Sequence, residues 1–275
     1  MPDAPVCDTI ALTRFVRRHP RLFVLTGAGA STDSGIPGYR DADGRWTRTS
    51  PVRIDEFLRT EEGRRRYWRR SMLGWPQLAE ARPNAAHDAL ARLEALGWVV
   101  QLATQNVDGL DQRAGTRGVI ELHGNVHRAT CLVCGAVHPR AAIQQTLERQ
   151  NARFLRISDA VSAADGGADP QGAPDTHALE GFVPPACEAC NGILKPDVVF
   201  FGECVPRDRV EAARATLERA DAMLVVGSSL MVYSGYRLCE WAVRIGKPIA
   251  GRSTSGARAR IHCLCSRSSN GAARR

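Results

Sequence analysis

Lysine is almost absent from this 275-residue chain: of its 37 basic residues only Lys195 and Lys247 are lysine, and the other 35 are arginine. The bias points to a GC-rich bacterial coding sequence more than to any physical demand. A long apolar run is also missing. No stretch approaches the roughly 20 residues needed to cross a bilayer. The segment before Arg21 mixes Asp3, Asp8, Arg14, Arg17 and Arg18 with its apolar residues, so neither a membrane span nor a secretory signal is expected. Acid is missing from residues 251–275, which hold six arginines and so leave only +2 of the formal +8 charge to the rest of the chain. A nucleic-acid partner is therefore not expected for the folded body. The nine cysteines are an odd number in a chain without a signal peptide, which favours a reducing, cytoplasmic setting over a disulfide framework.

What is present suits a globular protein: 44% hydrophobic and 24% charged residues, enough for one large domain plus a small insertion. Phe23-Val24-Leu25 is a short apolar run that stops at Thr26-Gly27-Ala28-Gly29, as a buried parallel strand entering a tight turn would. Three further runs begin at Trp98, Ala222 and Pro248, and residues 84–96 carry apolar positions at helical spacing. Such alternation indicates an α/β fold, a mostly parallel sheet with helices on both faces. Residues 159–176, DAVSAADGGADPQGAPDT, lack periodicity and read as a flexible loop.

Four of the cysteines are paired by spacing. Cys131 with Cys134 and Cys187 with Cys190 each form a C-x-x-C, and two such knuckles complete a closed four-thiolate zinc site, structural because no coordination position stays open. Redox activity is the rival reading, and nothing like a thioredoxin context surrounds either pair. The 52 residues between Cys134 and Cys187 exceed a compact zinc ribbon, and the flexible loop absorbs the excess. The unpaired Cys7, Cys204, Cys239, Cys263 and Cys265 read as small hydrophobes without a role.

Other motifs follow strands directly. GAGASTDSGIPGYRD, residues 27–41, offers glycines for close approach to a pyrophosphate, although the third glycine of a dinucleotide fingerprint is missing. Gly35 and Pro37 break any long helix there, so a loop able to close over a ligand is expected. TQNVDGL, residues 104–110, sits where ligands collect at the carboxyl ends of parallel strands, and an extended backbone would point Asn106 and Asp108 to one face; alone, it is equally a turn. ELHGN, residues 121–125, offers His123 as a general base, though most lone histidines are structural. GILKPDVVFFGE, residues 192–203, is either a core strand or an edge for an extended peptide. GSSLMVYSGY, residues 227–236, again places Gly-Ser-Ser after a strand, which suits phosphate or ribose contacts.

In this order, GAGAS, GIPGYR, TQNVD, HGN, the paired cysteines, KPDVVFFGE and VVGSSL resemble the sirtuins over roughly residues 8 to 250. Arg66-Tyr67-Trp68, Gly74-Trp75-Pro76-Gln77 and Val232-Tyr233-Ser234-Gly235-Tyr236 resemble the class II branch, which includes the mitochondrial lipoamidase and ADP-ribosyl transferase type. The resemblance implies a Rossmann-type NAD-binding domain over residues 8–125 and 192–250, with a zinc module over residues 126–191. It implies an NAD-dependent protein lysine deacylase, acting on acyl-lysine proteins or peptides as a monomer and releasing nicotinamide, O-acyl-ADP-ribose and free lysine. Gly27, Ala28, Gly29, Ala30 and Ser31 would hold the phosphates, with Tyr39 and Arg40 in the closing loop. Ile36, Asn106 and Asp108 would form the nicotinamide pocket, Gln105 would meet the ribose, and Gly227, Ser228 and Ser229 would complete the cofactor contacts. His123 would deprotonate a ribose hydroxyl, and Val198, Val199, Phe200, Phe201 and Gly202 would pair with the substrate backbone. An ADP-ribosyltransferase using the same pocket, and a non-enzymatic zinc-ribbon nucleic-acid binder, are the alternatives.

Two departures from the family pattern stand out. Gly38 occupies a position where many members carry aspartate. After Ala250 the chain reads GRSTSGARARIHCLCSRSSNGAARR, where the family has an Asn-x-Gly turn that contacts adenosine and then a final helix. Joining the third base of each codon from Arg252 onward to the first two bases of the next permits Val, Asn, Leu, Gly, Arg, so residues 251–275 read as a frameshifted ending, with impaired activity, the alternative being an ordinary disordered basic tail.

Overall fold

The computed structural model describes residues 9–38, 51–155 and 179–251; Tyr39, Arg40, the loop at 159–176 and residues 252–275 lie outside the described residues. In chain order, the amino-terminal part comprises α1 (Thr9–Arg18), β1 (Leu22–Thr26), α2 (Ile54–Arg59), α3 (Glu61–Glu80), α4 (Ala85–Ala95), β2 (Val99–Thr104), α5 (Leu110–Arg113) and β3 (Val119–Glu121). There follow β4 (Gly124–Cys131), β5 (Val137–Pro139), α6 (Arg140–Gln150) and β6 (Leu194–Val198). The chain then returns through α7 (Arg207–Arg219), β7 (Ala222–Val226), α8 (Tyr233–Arg244) and β8 (Ile249–Gly251).

Five strands form a wholly parallel sheet in the order β3-β2-β1-β7-β8. All five residues of the central strand β1 are buried, because helices cover both faces. Alternation along that strand divides the packing. Leu22 and Val24 join Phe15 of α1 and Leu90 of α4 on one side. Phe23 and Leu25 join Leu217 of α7 with Leu238 and Ala242 of α8 on the other. The four expected apolar runs are thus strands, and the helical stretch at 84–96 is α4, whose start is fixed by Asn84: its side chain accepts the Ala86 N–H at 2.9 Å while its own N–H donates to His87 Nδ1 at 3.2 Å.

The second sheet is small and antiparallel, ordered β5-β4-β6. Pro196 lies in β6, at the edge, where a missing N–H costs no ladder bond. Because β6 pairs with β4, the small sheet runs past the boundary expected at residue 191. Its core also takes in Phe57 of α2 and Trp68 and Met72 of α3, which come from the first part of the chain, alongside Cys131, Ile143, Leu147, Cys187 and Leu194. Buried Arg140 ties α6 to α3: its guanidinium donates to Ser71 and lies 5.5 Å from the Trp68 ring and 4.8 Å from the Trp75 ring.

Leu25 is wholly buried at the middle of the parallel sheet. Leu25→Ala is expected to lower stability by about 2–5 kcal/mol, read as a lower urea midpoint with an unchanged m-value.

Candidate active site and metal centre

The carboxyl ends of β1, β2 and β7 meet where the sheet order reverses, the place where open parallel sheets bind ligands. Two strand-end turns press together there. Gly27 N–H donates to Val226 C=O at 3.0 Å and Gly29 N–H to Gly227 C=O at 2.7 Å. A Cβ on Gly29 would stand 2.8 Å from that same carbonyl oxygen, and one on Gly227, whose φ is 63°, would stand 2.1 Å from Ala30 N. These glycines are therefore required by turn-on-turn packing before any ligand is considered. Beyond them the chain makes two short 3-10 turns, Ala28–Ala30 and Thr32–Ser34, in place of a long helix, as Gly35 and Pro37 suggest.

Below this junction sits a buried polar hub. Ser31 Oγ donates to Asp108 Oδ2 at 2.7 Å, accepts from Asn106 Nδ2 at 3.0 Å and lies 3.5 Å from His87 Nε2. The His87 ring must donate there, since its Nδ1 already accepts the Asn84 N–H. One donor and two lone pairs are all that a hydroxyl has, so Ser31 has no side-chain capacity left for a phosphate. Asp108 is anchored through both oxygens: the other one accepts the Leu110 N–H at 2.9 Å. Asn106 reaches across to Gly27 C=O at 3.1 Å. The sequence motifs thus do bring Ser31, Asn106 and Asp108 together, as a scaffold under the turns. Ala28, Ile36, Gln105, Asn106, His123, Gly227 and Ser229 remain partly open above it.

Two residues here carried no signal in the one-dimensional pattern. His87 is one. Asp111 is the other: it is 1% exposed, Thr26 Oγ1 lies 3.2 Å from its Oδ2, and its Oδ1 has no hydrogen-bond partner. Burial raises its carboxyl above the usual range, against the pull of His87, and the nearby Asp108 adds to the rise. A histidine on an amphipathic helix and an aspartate one turn past a loop look like ordinary surface residues until the fold buries them.

His123 stands on the other side of the opening. Its Nδ1 is 2.8 Å from Gln105 C=O, which can only accept, so the neutral ring carries its proton there and offers a lone pair at Nε2. Ser234 Oγ meets that lone pair at 2.6 Å. Burial lowers the His123 pKa below its ordinary value, Arg237 and Arg209 push the same way, and the Gln105 carbonyl opposes them. Gln105 is held in turn by Ser228, whose hydroxyl donates to its Oε1 at 2.6 Å. The ring is therefore a neutral, oriented base at neutral pH.

The stretch expected to pair with a peptide runs directly beside this base. Val199 N–H donates to His123 C=O at 2.8 Å, Val198 C=O accepts Lys195 Nζ at 2.7 Å, and Phe200 N–H donates to Glu203 Oε2 at 2.9 Å. Phe201 C=O accepts the Ile54 N–H at 3.1 Å, and the Phe200 ring packs with Phe57 and Tyr67. Those backbone groups serve the protein itself.

The four paired cysteines converge. Their sulfurs all lie within 4.8 Å of one another, with Cys131 to Cys190 at 3.4 Å and Cys134 to Cys187 at 3.7 Å. A tetrahedral zinc with bonds of about 2.3 Å sets its sulfurs roughly 3.8 Å apart, so the donor set fits that ion. The Cys134 backbone N–H helps bring Cys131 down to about 6, while the sulfurs of Cys131, Cys134 and Cys187 push Cys190 up to about 12 despite a favourable Gly192 N–H. Packed thiols that resist joint ionisation call for a cation among them. His138 Nε2, 3.3 Å from Cys187 Sγ, is placed to donate to a metal-bound thiolate. Cys239 is a buried core residue, as expected of the unpaired cysteines, whereas Cys204 is exposed.

A sequence profile for the Sir2 family matches residues 27–234. The chain is 55% identical over 259 residues to an NAD-dependent protein deacetylase 2 of Bradyrhizobium diazoefficiens, covering 94% of this chain and 93% of that protein. It is 54% identical over 249 residues to an NAD-dependent protein deacetylase of Xanthomonas campestris pv. campestris, covering 90% and 83% respectively. A solved structure described as "Sir2-p53 peptide-NAD+" superposes with a TM-score of 0.70 at 32% identity, over 90% of this chain and 87% of that one. Another, "Sir2 bound to acetylated peptide", gives 0.69 at 31% identity, over 90% and 87%. The fold and site define a dinucleotide-type α/β protein carrying a four-cysteine module. The chain belongs to the Sir2 family, the sirtuins.

Cys187→Ser is expected to abolish stoichiometric zinc and to lower the melting temperature, because metal binding here is folding energy; metal analysis of the purified variant together with a thermal melt checks both.

Proposed function

We propose that this protein is an NAD-dependent protein lysine deacylase that converts NAD and an acyl-lysine peptide into nicotinamide, O-acyl-ADP-ribose and free lysine. The observation that carries the reading is His123, a half-buried imidazole whose Nδ1 is fixed by the Gln105 carbonyl, leaving Nε2 as the basic nitrogen beside the turn that carries Asn106 and Asp108. Relatives at 51–55% identity named NAD-dependent protein deacetylases support it, and among the described residues no helix is long and apolar enough to cross a membrane.

Consumed as a substrate, NAD supplies an electrophilic anomeric carbon with nicotinamide as its leaving group. The chain's own residues supply placement and one proton acceptor. Gly27, Ala28, Gly29, Ala30 and Ser31 line the phosphate end, where Gly27, Gly29, Ala30 and Ser31 already spend their N–H groups on carbonyls of the fold and the Ser31 hydroxyl is fully used. Ile36, Asn106 and Asp108 bound the nicotinamide end, Gln105 the ribose, and Gly227, Ser228 and Ser229 the remaining cofactor contacts, with Tyr39 and Arg40 assigned to the cofactor by the sequence motif alone. A neutral amide oxygen is a weak nucleophile, so holding it against the reacting carbon is the larger part of the work. His123 Nε2 then accepts a ribose hydroxyl proton. Cys131, Cys134, Cys187 and Cys190 hold one structural zinc away from the reacting atoms.

We place the chain in the class II branch by its Arg66-Tyr67-Trp68, Gly74-Trp75-Pro76-Gln77 and Val232-Tyr233-Ser234-Gly235-Tyr236 motifs. It works as a cytoplasmic monomer on acylated proteins. We divide it into an NAD-binding domain, residues 8–125 and 192–250, and a zinc module, residues 126–191, to which the pairing of β6 with β4 adds residues 194–198.

Mass spectrometry of an acyl-lysine peptide incubated with NAD decides the reaction: loss of the acyl mass is deacylation, whereas gain of ADP-ribose indicates transfer to protein and overturns the reading. His123→Ala should keep NAD binding by calorimetry and lose roughly 100-fold or more in turnover, the scale of a general base. The acid limb of wild-type kcat/KM should have its midpoint below 6.5, because burial disfavours the imidazolium and keeps the base neutral as pH falls through that value. A midpoint above 6.5 contradicts this assignment.

A further inference from the structure

The lone pair on His123 Nε2 is already taken. A neutral imidazole with its proton on Nδ1 has one in-plane lone pair, and the Ser234 hydroxyl fills it at 2.6 Å. The contact is built into the fold. Ser234 lies in the first turn of α8, half-buried. That turn comes close only because the next residue is glycine: a Cβ on Gly235 would stand 2.5 Å from Gln105 Nε2. Gln105 is also the residue whose carbonyl fixes the His123 tautomer and whose side chain is clamped by Ser228. One residue therefore orients the imidazole and abuts the turn that delivers the serine. The amino-terminal end of α8 also places a partial positive charge beside Ser234 Oγ, favouring negative charge developing on oxygen there.

We propose that Ser234 is a catalytic residue that relays the substrate proton to His123, a step that rests on the deacylase reading above. The ribose O–H bond breaks as its proton joins Ser234 Oγ, and the Ser234 O–H bond breaks as that proton joins His123 Nε2. The electron pair freed on the ribose oxygen forms the new bond to the acyl carbon as that carbon's π bond to the lysine nitrogen breaks and its electron pair passes to the nitrogen. Ser234 ends as it began, and His123 carries the proton. A hydroxyl is suited to this role because it donates one hydrogen while keeping two lone pairs free to accept another. The alternative is a plug that the ribose hydroxyl must displace, and the two predict opposite effects of removing the hydroxyl.

The test uses the full chain, with Ser234→Ala and Ser234→Thr beside wild type. Two reactions are followed: acyl loss from a peptide, and exchange of labelled nicotinamide into NAD, which needs the first bond exchange and no base. Under the relay, Ser234→Ala loses about 100-fold in deacylation, in the range for a positioned proton-transfer group, keeps wild-type exchange, and Ser234→Thr restores most of the loss. Nitrogen-15 chemical shifts of the His123 ring in NAD-free protein give a readout independent of turnover: a protonated Nδ1, and an Nε2 resonance that moves in Ser234→Ala as its donor is lost. Undiminished deacylation by Ser234→Ala, a parallel fall in exchange, or an Nε2 resonance that stays put overturns the relay. If wild type shows neither exchange nor acyl loss, it is the deacylase reading that fails.

Discussion

The site depends on the abutment of two glycine turns at the carboxyl ends of β1 and β7. The Gly29 N–H bond to Gly227 C=O at 2.7 Å holds backbone against backbone with no room for a side chain. The other alignments follow from that contact. It brings Ser228 to Gln105, and Gln105 sets the tautomer of His123. It also holds Gly27 C=O where Asn106 can reach it. Below, the Ser31 hydroxyl spends its one hydrogen and both lone pairs on Asp108, Asn106 and His87, so three segments far apart in sequence share one fixed polar centre.

The small sheet is coupled to that centre by more than chain connectivity. Val199 N–H bonds the His123 carbonyl, so the residue that follows β6 is tied directly to the backbone of the base. On the other side Arg140 lies over Trp75, the Trp75 ring stands 5.1 Å from His127, and His127 Nε2 bonds Asp108 C=O at 2.8 Å. A metal that rigidifies the four cysteines can thus steady both walls of the opening while standing outside the chemistry. The scarcity of lysine fits the same economy: Lys195 staples the 198–203 turn through Val198 C=O and Glu203, and Lys247 closes on Ala220 C=O at 2.6 Å, so both are bound to backbone carbonyls.

Much of the fold could be read directly. The apolar runs at 23–25, 98–102 and 222–226 are strands because a fully covered parallel sheet demands uninterrupted hydrophobicity, and α4 announces itself through Asn84 and its periodic leucines. The spacing of Cys131, Cys134, Cys187 and Cys190 foretold their convergence, since each knuckle is local and tetrahedral geometry does the rest. Other features were not legible. α2 and α3 belong to the core of the small sheet although they precede it by more than forty residues, and no local pattern encodes such a partner. The sequence left residues 198–202 open between a core strand and a peptide-binding edge, and it did not show that several of their backbone groups are used inward by Lys195, Glu203, His123 and Ile54.

The sequence by itself determined the element types, the family and the chemical inventory: a glycine-rich turn, an Asn-x-Asp turn, one histidine before a glycine and four spaced thiols. These are properties of short segments, set by periodicity, φ preference and ligand spacing. Only the tertiary structure decided that Ser31 is a hub with no free hydroxyl, that Asp111 and His87 are buried beneath it, and that Ser234 meets His123 from 111 residues away. Hydrogen-bond valence is the reason. Whether a hydroxyl or imidazole is free to act depends on which partners have already claimed its hydrogens and lone pairs, and those partners are chosen by packing across the sheet.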